Sequence, residues 1–198
     1  MKDTTVVIMA GGQSRRFGSN KALAQWDGEP LIQRIIRRVS KVTDDLVLSV
    51  REQGDYDWLD VPKVVDLVKG AGPMGGLYSC LKALDTEKVV LVACDMPLVC
   101  PELIEFMINL ECQEPVVIPV ANGREHPLHA RYHHGLLPLV ERLVQDGRYK
   151  MKELLDQVSV RTVTQKDLLD KSIDVDLALC LSNVNTQEEF RKTRAMAS

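Results

Sequence analysis

Short apolar runs alternate with amphipathic, helix-like stretches along this chain of 198 residues. The apolar runs are rich in β-branched side chains, as is typical of strands buried on both faces, and lie at 4–10, 45–50, 63–66, 88–94 and 115–120. After Pro30, apolar residues recur at 31, 32, 35, 36, 39 and 42, which predicts a helix with proline at its start. The alternation predicts βαβ units and a mostly parallel sheet with helices on both faces.

The remainder of the chain continues this pattern less regularly. Further helices are expected over 75–84 and from Pro101 onwards. Beyond residue 122 we predict a strand near 128–132, helices near 135–145 and 150–158, a strand near 160–163 and a last helix from Thr186. The sequence shows no repeat, low-complexity segment or linker, so residues 1–198 are interpreted as a single domain. The expected fold class is α/β, a three-layer α/β/α Rossmann-like arrangement with a mostly parallel central sheet.

Composition narrows the classes of function. The formal net charge of -3 argues against a general nucleic-acid binder, which is usually basic. No apolar run approaches the roughly 18 residues needed to span a membrane, and the N-terminus lacks the apolar region of a signal peptide, so a cytoplasmic protein is expected. The five cysteines are scattered without a C-x-x-C pair, which favours reduced, mostly buried thiols over a metal site or a disulfide framework.

The stretch from Val6 to Leu23, VVIMAGGQSRRFGSNKAL, follows the first predicted strand with two glycines and three cations. Glycines let a ligand approach the backbone amides closely, and Arg15, Arg16 and Lys21 carry the charge that attracts a polyphosphate. The spacing fits neither a Walker A loop nor the G-x-G-x-x-G dinucleotide fingerprint. Ligands of such folds bind beyond the carboxyl ends of the strands, so the loop is a candidate phosphate cradle, with a solvated glycine turn as the alternative.

Five segments of the chain, in order, resemble the motifs of the MobA family, the nucleotidyltransferases similar to molybdenum cofactor guanylyltransferase. MAGGQSRRFGSNKAL resembles the family's L-A-G-G-x-[SA]-x-R-[FM]-G-x-x-K signature. The other four segments are VVDLVKGAGPMGGL, LVACDMPLVCP, GREHPLHA and NVNTQEEF. Each motif alone is weak, but together they are specific and extend over the whole chain.

This resemblance implies a Rossmann-like nucleotidyltransferase fold and transfer of GMP from GTP to the terminal phosphate of molybdopterin, with pyrophosphate leaving. Mg²⁺ is the implied cofactor, and Asp95 is its candidate ligand, because the residue ends a buried strand; a helix cap is the alternative for Asp95. The implied catalytic residues are Lys21, Arg15, Arg16 and Asp95. The implied nucleotide-binding residues are Met9, Ala10, Gly11, Gly12, Lys21, Asp66, Gly72, Gly75, Gly76 and Asp95.

For several of these residues the sequence is compatible with two roles. Asp66 is either a nucleotide contact or a turn former, and Gly72, Gly75 and Gly76 form either a backbone loop against the nucleotide or a tight turn with a helix N-terminus. The candidate residues for the second substrate are His126, Arg148, Lys150, Asn183 and Asn185. Arg34, Arg37 and Arg38 are expected on a solvated helix face.

Other activities remain alternatives. Relatives that use CTP tend to read A-A-G where this chain reads Ala10-Gly11-Gly12, which favours GTP. A molybdopterin cytidylyltransferase, a phospholactate guanylyltransferase and a non-catalytic nucleotide-binding protein are the competing hypotheses. The expected partners are GTP, Mo-molybdopterin and proteins that insert or deliver the molybdenum cofactor, with neither nucleic acid nor membrane among them.

Overall fold

The computed structural model describes residues 2–12, 20–184 and 186–196. Within these ranges the strands are β1 (Lys2–Met9), β2 (Gln25–Trp26), β3 (Glu29–Pro30), β4 (Leu46–Val50), β5 (Lys63–Val65), β6 (Thr86–Ala93), β7 (Val116–Ala121), β8 (Arg124–Glu125), β9 (Arg131–His133) and β10 (Val160–Val163). The α-helices are α1 (Leu31–Val39), α2 (Gly72–Ala83), α3 (Pro101–Asn109), α4 (Leu137–Gln145), α5 (Met151–Leu155), α6 (Gln165–Leu169), α7 (Leu177–Cys180) and α8 (Gln187–Met196). Short 3-10 helices span Lys21–Leu23 and His134–Leu136.

Strand β1 lies near the middle of the main sheet, whose order is β10-β7-β9-β6-β1-β4-β5, with β8 paired to β7. It is parallel to both neighbours, and Val6 is in register with Leu46 of β4 and Val90 of β6. Strand β9 runs antiparallel to β6 and β7, so the sheet is mixed. The predicted α/β fold with a mostly parallel central sheet is confirmed.

Helices cover both faces of the sheet because β1 is apolar on both faces. Val6 and Ile8 are fully buried against side chains of α1 and α3. Val7, which points to the opposite face, is fully buried against side chains of α2 and α4. The three layers therefore enclose two apolar cores, one on each side of the sheet. In the part of the chain that the structure describes, no helix has the length and apolar character needed to cross a bilayer.

Three local differences from the sequence prediction bear on the site. Helix α2 begins at Gly72 rather than Gly75, because Pro73 fits the first turn of a helix. Strand β9 begins at Arg131 rather than near 128, because the chain first turns through the His129 N–H to His126 carbonyl bond. The hairpin of β2 and β3 was not predicted. Its Asp27-Gly28 turn is a recognisable signal, but each strand has only two residues.

Candidate functional site

The carboxyl ends of β1, β4, β5 and β6 border a cleft of about 440 Å³. A volume of this size is typical of small-molecule sites, which span roughly 300 to 1,000 Å³. The cleft has positive side chains, Arg51 and Lys69, on its wall. The predicted nucleotide-binding residues that line it are Met9, Gly11, Gly12, Asp66, Gly72 and Asp95. The predicted segments that follow these strands therefore lie together around one cleft.

Lys21 and Asp95 form an ion pair beside this cleft. Lys21 Nζ lies 3.2 Å from Asp95 Oδ2, and the two side chains are 9% and 25% exposed. Lys21 starts the 3-10 helix that Asn20 caps, with Asn20 Oδ1 accepting from Ala22 N–H at 3.1 Å. Asp95 lies two residues after the end of β6, and its carbonyl accepts from Val184 N–H at 2.9 Å. A nearly buried cation thus stands next to a partly exposed carboxylate.

The alternative role for Asp95, as the cap of the next helix, is wrong. The N-cap of α3 is Cys100, and its side chain makes no capping hydrogen bond. Asp95 lines the cleft instead. An acidic side chain at the end of a buried strand, paired with one cation and open to a cleft, is the arrangement that a metal-binding or phosphate-binding site uses.

Two arginines of α1 hold the loop that follows Asp95. Arg34 Nε donates to the carbonyl of Pro97 at 3.1 Å, and Arg38 Nε donates to the carbonyl of Val99. The prediction of a solvated face is therefore wrong for Arg34 and Arg38, because their spacing of four residues puts both on the side of α1 that faces this loop. Arg37 is 57% exposed and pairs with Glu29, as expected for a surface position. Arg34 also lies over the ring of Trp26, 5.2 Å from its centroid.

Asp66 directly follows β5, and its carboxylate lies in space between Gly11 and Gly76. Ser49 Oγ donates to Asp66 Oδ1 at 3.1 Å. A methyl group added to Gly11 would lie 3.1 Å from Asp66 Oδ2, and one added to Gly76 would lie 3.5 Å from Oδ1. Burial raises the pKa of Asp66, although the Ser49 hydrogen bond and the charge of Arg51 act in the opposite direction. The absence of side chains at Gly11 and Gly76 makes room for this carboxylate.

Gly75 and Gly76 lie in α2, as the predicted helix over 75–84 implies, so of the two alternatives the helix N-terminus is confirmed and the backbone loop is wrong. A methyl group on Gly75 would lie 2.8 Å from Ala71 Cβ, and one on Gly76 would lie 2.5 Å from Met9 Cε and 2.9 Å from Ser49 Oγ. Gly76 therefore lets the helix pack closely against β1 and β4, whereas Gly75 leaves room for the segment that precedes the helix. Gly72, at the start of the helix with a φ of 57°, is the member of the trio that lines the cleft.

The residues predicted for the second substrate are spread more widely. Asn183 is half-buried and precedes Val184, which binds the Asp95 carbonyl, so this segment lies beside the site. His126 is half-buried on the turn before Leu128, a cleft residue, and burial lowers its pKa. Arg148 and Lys150 are exposed in the turn between α4 and α5. The Arg148 side chain and the Lys150 N–H both contact the Glu153 carboxylate, at 3.3 and 3.2 Å.

Three of the predicted site residues, Arg15, Arg16 and Asn185, lie outside the described residues. Ala10 is buried beside the cleft, and its N–H donates to the carbonyl of Ser49 at 2.9 Å. Sequence reasoning missed Arg51, Lys69 and Leu128 in the cleft wall, and it missed the contact of Ser49 with Asp66. Lys69 follows a strand end within a glycine-rich segment, a signal that could have identified it.

The chain is similar to known proteins in sequence and in fold. The family described as MobA-like NTP transferase domain matches residues 6–163. The chain is 34% identical over 197 residues to the molybdenum cofactor guanylyltransferase of Desulfosudis oleivorans, covering 98% of this chain and 96% of the relative. It is 32% identical over 197 residues to the probable molybdenum cofactor guanylyltransferase of Pelotomaculum thermopropionicum, covering 100% and 95%.

The fold is also similar to a crystal structure, that of the molybdopterin-guanine dinucleotide biosynthesis protein A from Archaeoglobus fulgidus. The TM-score is 0.83 at 23% identity, and 98% of each chain is covered. The matched residues 6–163 include Lys21, Asp66 and Asp95, the charged residues at the cleft that the motifs had singled out. The resemblance read from the motifs is confirmed, and the chain belongs to the family of MobA-like NTP transferases.

Proposed function

We propose that this nucleotidyltransferase is a molybdenum cofactor guanylyltransferase. It transfers GMP from GTP to the terminal phosphate of Mo-molybdopterin, which yields molybdopterin guanine dinucleotide and pyrophosphate. The observation that carries the proposal is the Lys21–Asp95 pair, which stands beside a cleft that Gly11 and Gly12 also line. The names of the relatives supply the identity of the two substrates.

The glycine segment and Lys21 bind the triphosphate in this proposal. Gly11 and Gly12 leave the backbone accessible at the cleft. Among the described residues, apart from the chain neighbours of Gly12, no atom lies within 4 Å of where a Gly12 side chain would start. Lys21 adds a point charge at the far end of the same loop, and Arg15 and Arg16 are proposed to add two more. Together these groups offset the negative charge that gathers around the α-phosphate during transfer.

The residues present fit a magnesium ion. Mg²⁺ is usually held by one or two carboxylates together with substrate phosphates and water, and Asp95 presents a carboxylate that is 25% exposed at the cleft. Among the described residues no three His, Cys, Asp or Glu side chains form a metal cluster, so phosphate oxygens and water would have to complete the coordination. Asp95 would hold the ion, which supplies positive charge to the α-phosphate when bound.

The chemical step requires little proton transfer from the protein. An oxygen of the molybdopterin phosphate forms a bond to the α-phosphorus of GTP, while the bond from that phosphorus to the bridging oxygen of pyrophosphate breaks. The attacking phosphate is already ionised, so no strong general base is needed. The protein therefore acts by positioning the two substrates and by neutralising charge, for which Lys21 is placed beside Asp95.

Recognition of the base is proposed to involve the backbone of Met9, Ala10, Gly11 and Gly12. Asp66 is proposed as a further nucleotide contact, since it lines the same cleft and directly abuts Gly11. Of the residues proposed for the second substrate, Asn183 is supported by its place next to Val184, which binds the Asp95 carbonyl. Asn185, His126, Arg148 and Lys150 stay proposals on the basis of the motifs. Proteins that insert or deliver the cofactor are the proposed partners.

The test is pyrophosphate release with Mo-molybdopterin as acceptor and GTP, CTP, ATP or UTP as donor. The proposal requires rapid release with GTP and Mg²⁺, and slow release with CTP. Preference for CTP would indicate a cytidylyltransferase. Release only with phospholactate as acceptor would indicate a phospholactate guanylyltransferase. Nucleotide binding without release for any acceptor would indicate a non-catalytic nucleotide-binding protein.

A further inference from the structure

Tyr56 lies in the segment between β4 and β5, far along the chain from the glycine loop, yet its hydroxyl reaches both ends of that loop. The side chain is buried, with 8% of the residue exposed, and it packs in the same core as Ala10 and Ala22. Neither the family motifs nor the cleft lining includes Tyr56. Its position therefore calls for an explanation that the proposed chemistry does not supply.

The hydroxyl of Tyr56 is shared between the two ends of the loop. Asn20 Nδ2 donates to the Tyr56 oxygen at 3.0 Å. The Tyr56 proton has two acceptors within reach, the Ala10 carbonyl at 3.4 Å and Asn20 Oδ1 at 3.3 Å. Ala10 is where the chain leaves β1, and Asn20 is where it enters the 3-10 helix. One side chain thus connects the start and the end of the 10–20 segment.

The contact with Asn20 continues to the ion pair at the cleft. Asn20 Oδ1 also accepts from the N–H of Ala22, which orients the first turn of the 3-10 helix. Lys21 projects from that turn and reaches Asp95 at 3.2 Å. The chain of contacts therefore runs from Tyr56 through Asn20 to the helix turn that carries Lys21.

The backbone of Tyr56 is an independent observation. Its φ is 57°, in the left-handed region that residues with a Cβ atom adopt at a cost in free energy. The turn is kept in place by the Leu59 N–H, which donates to the Tyr56 carbonyl at 2.9 Å, and by burial of the ring. Strained backbone of this kind persists where the surroundings fix a side chain in one place. Here the fixed group is the hydroxyl between Ala10 and Asn20.

We propose that Tyr56 is a positioning residue for the triphosphate loop, which sets the separation of Ala10 from Asn20 and thereby the placement of the Gly11 and Gly12 amides relative to Lys21. The identity of the ligand, GTP, rests on the proposed function, but the hydrogen bonds of the hydroxyl do not. Tyr56 touches neither the cleft nor the reacting groups, so its effect is transmitted through the loop ends.

The test compares Tyr56→Phe with Tyr78→Phe. Tyr78 is an equally buried tyrosine whose hydroxyl donates to Glu141 at 2.8 Å, on the α2–α4 side of the sheet. Both variants lose one hydroxyl, so both are expected to lower the urea midpoint slightly. The Kd of GTP, measured by titration calorimetry, is expected to rise roughly three- to tenfold in Tyr56→Phe, the scale of one or two neutral hydrogen bonds, and to stay constant in Tyr78→Phe.

A second measurement does not depend on GTP. Trypsin cleaves after Arg15 and Arg16, and the rate at these two bonds, followed by mass spectrometry, is expected to rise in Tyr56→Phe and in Asn20→Ala but not in Tyr78→Phe. The double variant Tyr56→Phe/Asn20→Ala is expected to cleave no faster than the faster single variant, because both act through one contact. Equal cleavage in Tyr56→Phe and the parent, or equal loss of GTP affinity in both tyrosine variants, would overturn the proposal. A parent that binds no GTP contradicts the proposed function, and the cleavage rates then decide on Tyr56 alone.

Discussion

Lys21 and Asp95 meet at 3.2 Å although 74 positions separate them in the chain. Lys21 comes from the loop after β1, and Asp95 comes from the end of β6, the strand directly beside β1. Their meeting follows from the parallel pairing of these two strands, which brings both carboxyl ends to one edge of the sheet. The pair places a cation and a carboxylate side by side at the cleft, and the proposed function assigns the cation to phosphate binding and the carboxylate to a metal ion.

The first prediction concerns removal of the Lys21 charge. Lys21→Ala is expected to raise the Kd of GTP roughly ten- to hundredfold, because a charge-assisted contact contributes about 1.5–3 kcal/mol. Turnover should fall as well, since the same charge acts in the transition state. Lys192→Ala, which removes an exposed lysine of α8, is the control and should leave both quantities unchanged. An unaltered Kd and turnover in Lys21→Ala would exclude this residue from the site.

The second prediction separates metal-assisted turnover from nucleotide binding. Asp95→Asn keeps the size of the side chain and removes its charge. GTP should bind within about tenfold of the parent, whereas kcat should fall roughly 10²-fold, the scale of one lost electrostatic stabiliser. The concentration of Mg²⁺ that gives half-maximal rate should rise. Since Cys100, and not Asp95, stands at the N-cap position of α3, loss of helix capping cannot explain a lower kcat. A variant with the parent's kcat and the parent's Mg²⁺ dependence would refute the metal role.

The third prediction concerns the hydrogen bond from Arg34 to the loop that follows Asp95. Arg34→Ala removes the bond to the Pro97 carbonyl and should lower kcat about tenfold, because small displacements of catalytic groups are costly. Arg37→Ala, on the same helix but on its exposed side, should stay within about twofold of the parent. Steady-state kinetics with saturating GTP tests both variants. Similar losses in the two would show that α1 matters only for stability.

The fourth prediction uses the space around Asp66. Gly11→Ala places a methyl group 3.1 Å from Asp66 Oδ2, so the carboxylate must shift and the cleft must narrow. GTP affinity and the melting temperature should both fall. In Gly12→Ala the new methyl group meets no atom within 4 Å from the described part of the chain beyond its immediate neighbours, so the melting temperature should not change. Thermal unfolding of both proteins without nucleotide makes the comparison, and equal melting temperatures for the two variants would contradict it.

The fifth prediction is a pH dependence. Burial raises the pKa of Asp66 above its ordinary value of 3.8, so the folded protein holds this proton more tightly than the unfolded chain does. The stability contribution of the group is therefore fully present below the unfolded pKa and is lost as the pH rises through the folded pKa. Asp66→Asn, which carries no charge to desolvate, should raise the melting temperature more at pH 7 than at pH 4, while it weakens GTP binding.

Melting temperatures at the two pH values test this prediction. Asp60→Asn, a change at an exposed position of the same region, serves as the control and should show no such difference. An Asp66→Asn variant that is destabilised equally at both pH values would indicate that Asp66 stabilises the fold through its hydrogen bond with Ser49. Loss of GTP affinity together with a gain in stability would identify Asp66 as a residue retained for binding.

Most of the fold was predictable because the strands that carry it are apolar on both faces. Val6, Val7 and Ile8 are all fully buried, and such runs have few structural alternatives. The candidate site was predictable where a charged residue follows closely on the end of one of these strands, as Asp66 and Asp95 do. Arg34 and Arg38 were misjudged, since a helical pattern shows which residues share a face but not which neighbouring loop that face meets.

Tyr56 and Ser49 could not be assigned from sequence for a related reason. Each forms a hydrogen bond with a residue from another segment of the chain, Tyr56 with Asn20 and Ser49 with Asp66. A local sequence pattern does not indicate such a contact. The glycines of α2 illustrate the converse difficulty. The same G-P-M-G-G letters suit a ligand-binding loop and a closely packed helix start, and the choice depends on Met9 and Ser49, which lie opposite Gly76.

The bond from Val184 to Asp95 has a consequence for the order of events during synthesis. Strand β1 leaves the ribosome first but stays without neighbours until β4 and β6 have been made, and Asp95 gains its contact with Val184 only much later. A contact can form only after both of its partners have emerged from the ribosome, so the proposed nucleotide site is completed near the end of synthesis. A nascent chain from which residue 184 has not yet emerged would therefore lack the hydrogen bond that holds the Asp95 backbone at the edge of the sheet.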